Sequence, residues 1–210
     1  KELANTLFDC EDNIVQIDMS EMMEEHSISK FIGSPPGYVG YGEGGQLTEQ
    51  IRRNPYSVIL LDEVEKAHPG VMQLLLQILE EGKLTDSVGV TVNFKNCIII
   101  MSSNIGAEEQ QKSSTVGFNS DGHANTRDNV MKEVKKFFAP EFINRLDEII
   151  IFNSLTKDCI ELILDRELLK VRARLMDQNI YLTFNASIKK MLLNEGFDSK
   201  YGARPLKRAI

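Results

Sequence analysis

No run of apolar residues in the chain is long enough to span a bilayer. The opening residues do not read as a signal peptide, so no membrane partner is expected. The three cysteines, Cys10, Cys97 and Cys159, lack metal-type spacing, and the default reading is reduced thiols in a reducing compartment. The three histidines are scattered and suggest no zinc site. Positive charge is in short supply: the formal net charge is -7. That argues against a nucleic-acid partner, which usually needs a basic face. No internal repeat or low-complexity tract is present. A P-loop, G-x-x-x-x-G-K-[ST], is also absent.

What is there fits an ordinary globular protein, with 42% hydrophobic and 26% charged residues. A chain of 210 residues can build one large core or two small ones. KELANTLF reads as the later part of a helix with nothing before it to start it, and RPLKRAI reads as a helix cut short. The expectation is a stretch of a longer chain. Between these ends, NIVQIDMS gives a strand at Ile14 to Ile17, followed by the irregular GSPPGYVGYGEGG and a short helix in LTEQIRRN. SVILL is a second strand, apolar throughout as in a parallel sheet covered on both faces. From Pro69 a helix follows, with Val71, Leu74, Leu75, Ile78 and Leu79 on one face and Gly82 as a stop.

VTVNF is a minor strand or hairpin arm, and NCIIIMSSN is a third apolar strand. A polar loop leads to a helix from about Asp128 to Phe138, then a fourth strand in EIIIF. Near Leu155 the pattern changes to a long helix at Lys157 to Met176, a strand-like IYLTF and the helix ASIKKMLLNEGF. Alternating strands and helices predict an α/β fold with a parallel sheet flanked by helices over residues 1–154. A smaller, mostly helical α+β domain is expected over residues 155–210.

In open α/β sheets, ligands bind outside the carboxyl ends of the strands. Asp18, Asp62, Glu63 and Asn104 all fall at or just past such ends. An apolar strand ending in Asp62-Glu63 suits a nucleotide hydrolase, with Asp62 on Mg²⁺ and Glu63 polarising the attacking water. The plainer alternative is two solvated residues at a strand end. Asn104 could orient the same water or touch the terminal phosphate of the nucleotide, or merely form the turn before Gly106. Arg145, in PEFINRLDE, could serve a phosphoryl-transfer transition state or pair with Asp147 or Glu148. Arg204, just before Pro205, sits near a helix N-terminus, which favours anions, or is a surface arginine. Tyr38, between the glycines of GYVG, is either offered to extended polypeptide or folded back onto the body. Val116, Gly117 and Phe118 form an apolar island in a polar loop, tucked into the core or offered to a partner.

Taken in order, GSPPGYVGYGEGGQLTE, ILLDEVEKAHP, LLLQILEEGKLTD, IIIMSSNIGA, PEFINRLDEIIIF and YGARPLKRAI resemble the second ATPase module of the Clp/Hsp100 class of AAA+ unfoldases. The likeness covers essentially the whole chain. It implies an AAA+ large subdomain over residues 1–154, a lid subdomain over 155–210, and a homo-hexamer that hydrolyses ATP with Mg²⁺ to thread unfolded protein substrates through its centre. By the same resemblance Asp62 and Glu63 are the Walker B pair, Asn104 is sensor 1, Arg145 is the arginine finger and Arg204 is sensor 2. Tyr38 and Val39 belong to the pore loop.

Val116, Gly117 and Phe118 are similar to the tripeptide with which ClpC-, ClpA- and ClpX-type unfoldases dock on a ClpP-type peptidase. The ClpB disaggregase branch lacks that tripeptide, so a ClpC-type unfoldase, with possible adaptor proteins, is the leading expectation. Its place would be the bacterial cytoplasm or an organelle of bacterial descent such as a plastid. A ClpB-like disaggregase and a non-enzymatic assembly or adaptor-binding module are the alternatives. Without the P-loop this stretch of chain is expected to bind ATP poorly by itself and to be inactive alone.

Overall fold

The structure is a computed structural model that describes residues 1–38, 41–42, 44–106, 122–153, 155–196, 203 and 205–210. Along the chain the regular elements are α1 (Glu2–Phe8), β1 (Ile14–Asp18), α2 (Ile28–Ile32), α3 (Gln46–Arg53), β2 (Val58–Asp62), α4 (Pro69–Glu81), β3 (Lys83–Thr85), β4 (Thr91–Asn93) and β5 (Ile98–Met101). They continue with α5 (Gly122–Phe137), α6 (Pro140–Ile143), α7 (Lys157–Met176), α8 (Ala186–Gly196) and α9 (Leu206–Ala209). The chain divides into two compact units, Lys1–Ile149 and Ile150–Ile210.

The first unit is built on a parallel sheet in the order β1-β2-β5. The central strand β2 explains the unbroken apolar run: Val58, Ile59 and Leu61 are all buried, because neither face of a middle parallel strand meets water. The register sets Asp18 beside Asp62 and Leu61 beside Met101, so the three strands stop at nearly the same level. Around the sheet lies one core containing Ile17, Phe31, Leu47, Ile59, Leu61, Val71, Leu75 and Phe142. Helix α4 enters that core through Val71, Leu75 and Ile78. His68 caps its start, Nδ1 accepting the Gly70 N–H at 3.1 Å, and Gly82 closes it with φ 66°. VTVNF contributes β4, the second arm of an antiparallel hairpin with β3, with Leu84 and Val92 paired and buried.

Two expected strands are not formed. EIIIF has no ladder among the described residues, and Ile150 and Phe152 are 66% and 82% exposed. IYLTF is likewise irregular, with Tyr181 82% exposed. An extended apolar run becomes a strand only where another strand pairs with it, and no such pairing forms at either segment among the described residues. The sheet therefore has three described parallel strands instead of four, and the second unit is helical. Its core joins Leu164 and Leu168 of α7 to Leu206 of α9, with Phe184, Leu192 and Leu193 packed against them.

Candidate functional site

At the carboxyl ends of β2 and β5 the polar residues form one connected cluster. Ser102 follows β5 directly and offers every polar group it has to residues 61–64. Its N–H donates to Leu61 O at 2.9 Å and its carbonyl accepts the Val64 N–H at 3.0 Å. Its hydroxyl donates to Asp62 Oδ1 and accepts the Glu63 N–H at 3.1 Å. Glu63 sits in the left-handed region, φ 56° and ψ 50°. That conformation costs a residue with a Cβ roughly 1–2 kcal/mol, so the surroundings must impose it.

The Glu63 carboxylate has two partners. Oε1 accepts from Asn104 Nδ2 at 3.4 Å, and Oε2 is ion-paired with Lys66 Nζ. Asn104 is held in turn by its backbone, whose N–H donates to Glu65 Oε1 at 3.0 Å. The other Glu65 oxygen, Oε2, is buried with no hydrogen-bond partner among the described residues. Asp18, level with Asp62 on β1, accepts the Ser20 hydroxyl at 2.6 Å and the Ser20 N–H at 2.9 Å. Those two bonds hold its carboxyl below the usual range, with Lys66 adding to the effect. Lys66 itself is pushed up, chiefly by its bond to Glu63.

Asp62, Glu63 and Asn104 are thus brought together. Asp62 Oδ2 accepts no hydrogen bond from the described residues, which leaves a hard carboxylate oxygen of the kind that suits Mg²⁺ or its bound water. Arg145 lies elsewhere. Its guanidinium pairs with Glu80 Oε1 at 2.7 Å, in the last turn of α4, and not with Asp147 or Glu148. Tyr38 is in a turn, its N–H donating to Pro35 O at 3.3 Å, and is 71% exposed. Val39, Val116, Gly117, Phe118 and Arg204 lie outside the described residues.

Sequence reasoning does not find Ser102, Glu65 or Lys66 as members of the cluster. The signal available is a hydroxyl two residues before Asn104 in MSSN, and two charges at short helical spacing after Asp62-Glu63.

Residues 1–149 match the family model for an AAA domain (Cdc48 subfamily). Residues 155–210 match that for the C-terminal, D2-small domain of ClpB protein. The chain is 52% identical over 214 residues to the negative regulator of genetic competence ClpC/MecB of Bacillus subtilis (strain 168), covering all of this chain and 26% of that protein. It is 56% identical over 211 residues to the chaperone protein ClpB of Clostridium perfringens (strain 13 / Type A), covering 100% of this chain and 24% of that one. The closed-state cryo-EM reconstruction of Hsp104 with ATPγS and FITC casein matches with a TM-score of 0.84 and 41% identity, over 99% of this chain and 35% of that one. The chain thus spans about a quarter of the length of these curated relatives.

Proposed function

The chain belongs to the AAA+ family, in its Clp/Hsp100 class, and from that premise we propose that it forms part of a ClpC-like protein unfoldase driven by ATP hydrolysis. The observation that carries the reading is the meeting of Glu63 and Asn104 at 3.4 Å beside Asp62, at the ends of neighbouring parallel strands. Glu63 accepts the proton of the water that attacks the terminal phosphate, and Asn104 holds the Glu63 carboxylate toward that water. Asp62 would hold Mg²⁺ or its bound water through Oδ2. When bound, the ion neutralises charge on the phosphate oxygens. Arg204 contacts the phosphates from the lid, and Arg145 serves the site of the adjoining subunit in a homo-hexamer. Tyr38 and Val39 grip unfolded protein substrates at the pore, with adaptor proteins as further partners and the bacterial cytoplasm, or an organelle of bacterial descent, as the place of action.

The test is Glu63→Gln in the full-length protein. It is expected to keep nucleotide binding and lose turnover by about 10²–10⁴-fold, the size of a general-base contribution. Turnover at the wild-type rate removes Glu63 from that role.

A second reading, a ClpB-like disaggregase without a peptidase, is favoured by the 56% identity to a ClpB protein and by the ClpB description of the family model over residues 155–210. The two separate on Val116, Gly117 and Phe118. In the ClpC-like reading these residues dock on a ClpP-type peptidase, and Phe118→Ala abolishes degradation of a tagged substrate while ATP turnover stays. Degradation that survives Phe118→Ala removes docking through that loop.

A further inference from the structure

The geometry points to Ser102 as a positioning residue for the acidic doublet, one whose single hydroxyl sets both the oxygen that Asp62 presents to the metal and the backbone turn that aims Glu63. The inference rests on the roles proposed for Asp62 and Glu63. A serine hydroxyl has one proton to give and two lone pairs to share. In this cluster the proton goes to Asp62 Oδ1, and a lone pair receives the Glu63 N–H at 3.1 Å. Both bonds converge on one atom, so the two acids cannot move independently of it.

Each acid is constrained in its own way. At Asp62, Oδ1 is occupied, the carboxylate plane is held, and Oδ2 is the oxygen left to face a cation or its water. At Glu63, the Ser102 carbonyl accepts the Val64 N–H, which leaves the Glu63 N–H to the Ser102 hydroxyl as the chain turns into the left-handed region. Ser102 Oγ satisfies it and fixes the direction in which the Glu63 side chain leaves the backbone. The Ser102 N–H and C=O already tie down Leu61 and Val64. The hydroxyl therefore acts inside a frame that persists without it, and removing it tests positioning with the fold kept.

The experiment compares Ser102→Ala and Ser102→Thr in the full-length protein. The first readout is equilibrium binding of a fluorescent ATP analogue under Mg²⁺ titration, which requires no turnover. The others are kcat, KM and the melting temperature. Ser102→Ala is expected to raise the Mg²⁺ concentration for half-maximal binding by roughly tenfold and to lower kcat by a similar factor, the scale of one lost hydrogen bond to a charged group. Ser102→Thr keeps the hydroxyl and is expected to stay within about twofold of wild type on both, an energy difference too small to count as a lost bond.

Wild-type-like values in Ser102→Ala overturn the inference, and so does a Ser102→Thr as impaired as Ser102→Ala, which assigns the effect to packing. A melting temperature that falls with no change in the Mg²⁺ titration or kcat also overturns it. Glu63→Gln is measured alongside. Retained turnover there overturns the reading of the doublet, and this inference with it. Lost turnover beside a wild-type-like Ser102→Ala overturns this inference alone.

Discussion

Arg145 is ion-paired with Glu80 at 2.7 Å, in the last turn of α4. The partner the structure gives Arg145 is Glu80, and the role proposed for it toward an adjoining subunit is tested by its removal. Glu80 is also on the wrong end of its helix. Glu80 and Glu81 stand in a last turn with no basic residue, where the helix dipole disfavours negative charge. Arg145 offsets that at Glu80, and Lys83, 3.6 Å from Glu81, offsets it at the other acid. Arg145→Ala is expected to lower ATP turnover of assembled rings by about 10³-fold or more, as loss of an arginine finger does. Glu80→Ala should cost only a few-fold in kcat and leave stability within about 0.5 kcal/mol, since both partners are half exposed. Steady-state kinetics and melting curves decide. Undiminished turnover in Arg145→Ala removes it from catalysis.

Asn104 owes its place to Glu65, which takes its backbone N–H at 3.0 Å. Glu65→Ala removes that acceptor and should cost only about 0.5–1.5 kcal/mol, since Asn104 is exposed and water can take its N–H, with a loss of turnover as Asn104 loosens. Glu65→Gln keeps an acceptor in the same position and is expected to be close to wild type. Equal loss in both variants would show that the negative charge of Glu65, and not its bond to Asn104, is what counts.

Gly45 is a steric requirement. A Cβ there would lie 2.0 Å from Phe31 O and 2.2 Å from Phe31 C, both backbone atoms that cannot swing away. The buried Thr48 hydroxyl, near both Gly45 O at 3.1 Å and Phe31 O at 3.3 Å, fastens the same approach. Gly45→Ala should destabilise by roughly 1–3 kcal/mol through overpacking. Gly37, with open space around it and φ 92°, should lose about 1 kcal/mol from backbone strain alone on the same change. Melting curves of the two variants test the order, and a Gly45→Ala protein as stable as wild type would refute the contact.

Asp18 gives a pH dependence of known sign. Its carboxyl is held below the ordinary 3.8 by the Ser20 bonds. A depressed folded-state value means that the contribution is fully present above the unfolded value and is lost as pH falls through the folded one. Asp18→Asn should therefore be less stable than wild type at neutral pH, with the gap closing below about pH 3.8. Thermal melts across an acid series measure it. A gap that persists unchanged at low pH would assign it to shape and not charge.

Much of the fold is legible in the chain. The run Val58 to Leu61 announces a strand buried on both faces, and the spacing from Val71 to Leu79 announces α4, because burial imposes those periods directly. The Asp62-Glu63 doublet stands out because charge after such a run is costly unless used. Ser102 does not stand out. Its partnership with residues 61–64 comes from pairing β2 with β5, a non-local alignment that no window of sequence contains. EIIIF misleads for the converse reason: an apolar β-branched run states a preference, while a strand needs a partner as well. Sequence proximity offers Arg145 the acids Asp147 and Glu148, yet the turn after α6 brings it to Glu80 instead.

The left-handed residue at 63 has one more consequence. Along an undistorted extended chain, consecutive side chains leave on opposite sides, so two neighbouring acids could never attend to one substrate. The twist at Glu63 interrupts that alternation. Ironed flat, the same doublet would keep its composition and its order, and would present one carboxylate to each side of the sheet with no common task between them.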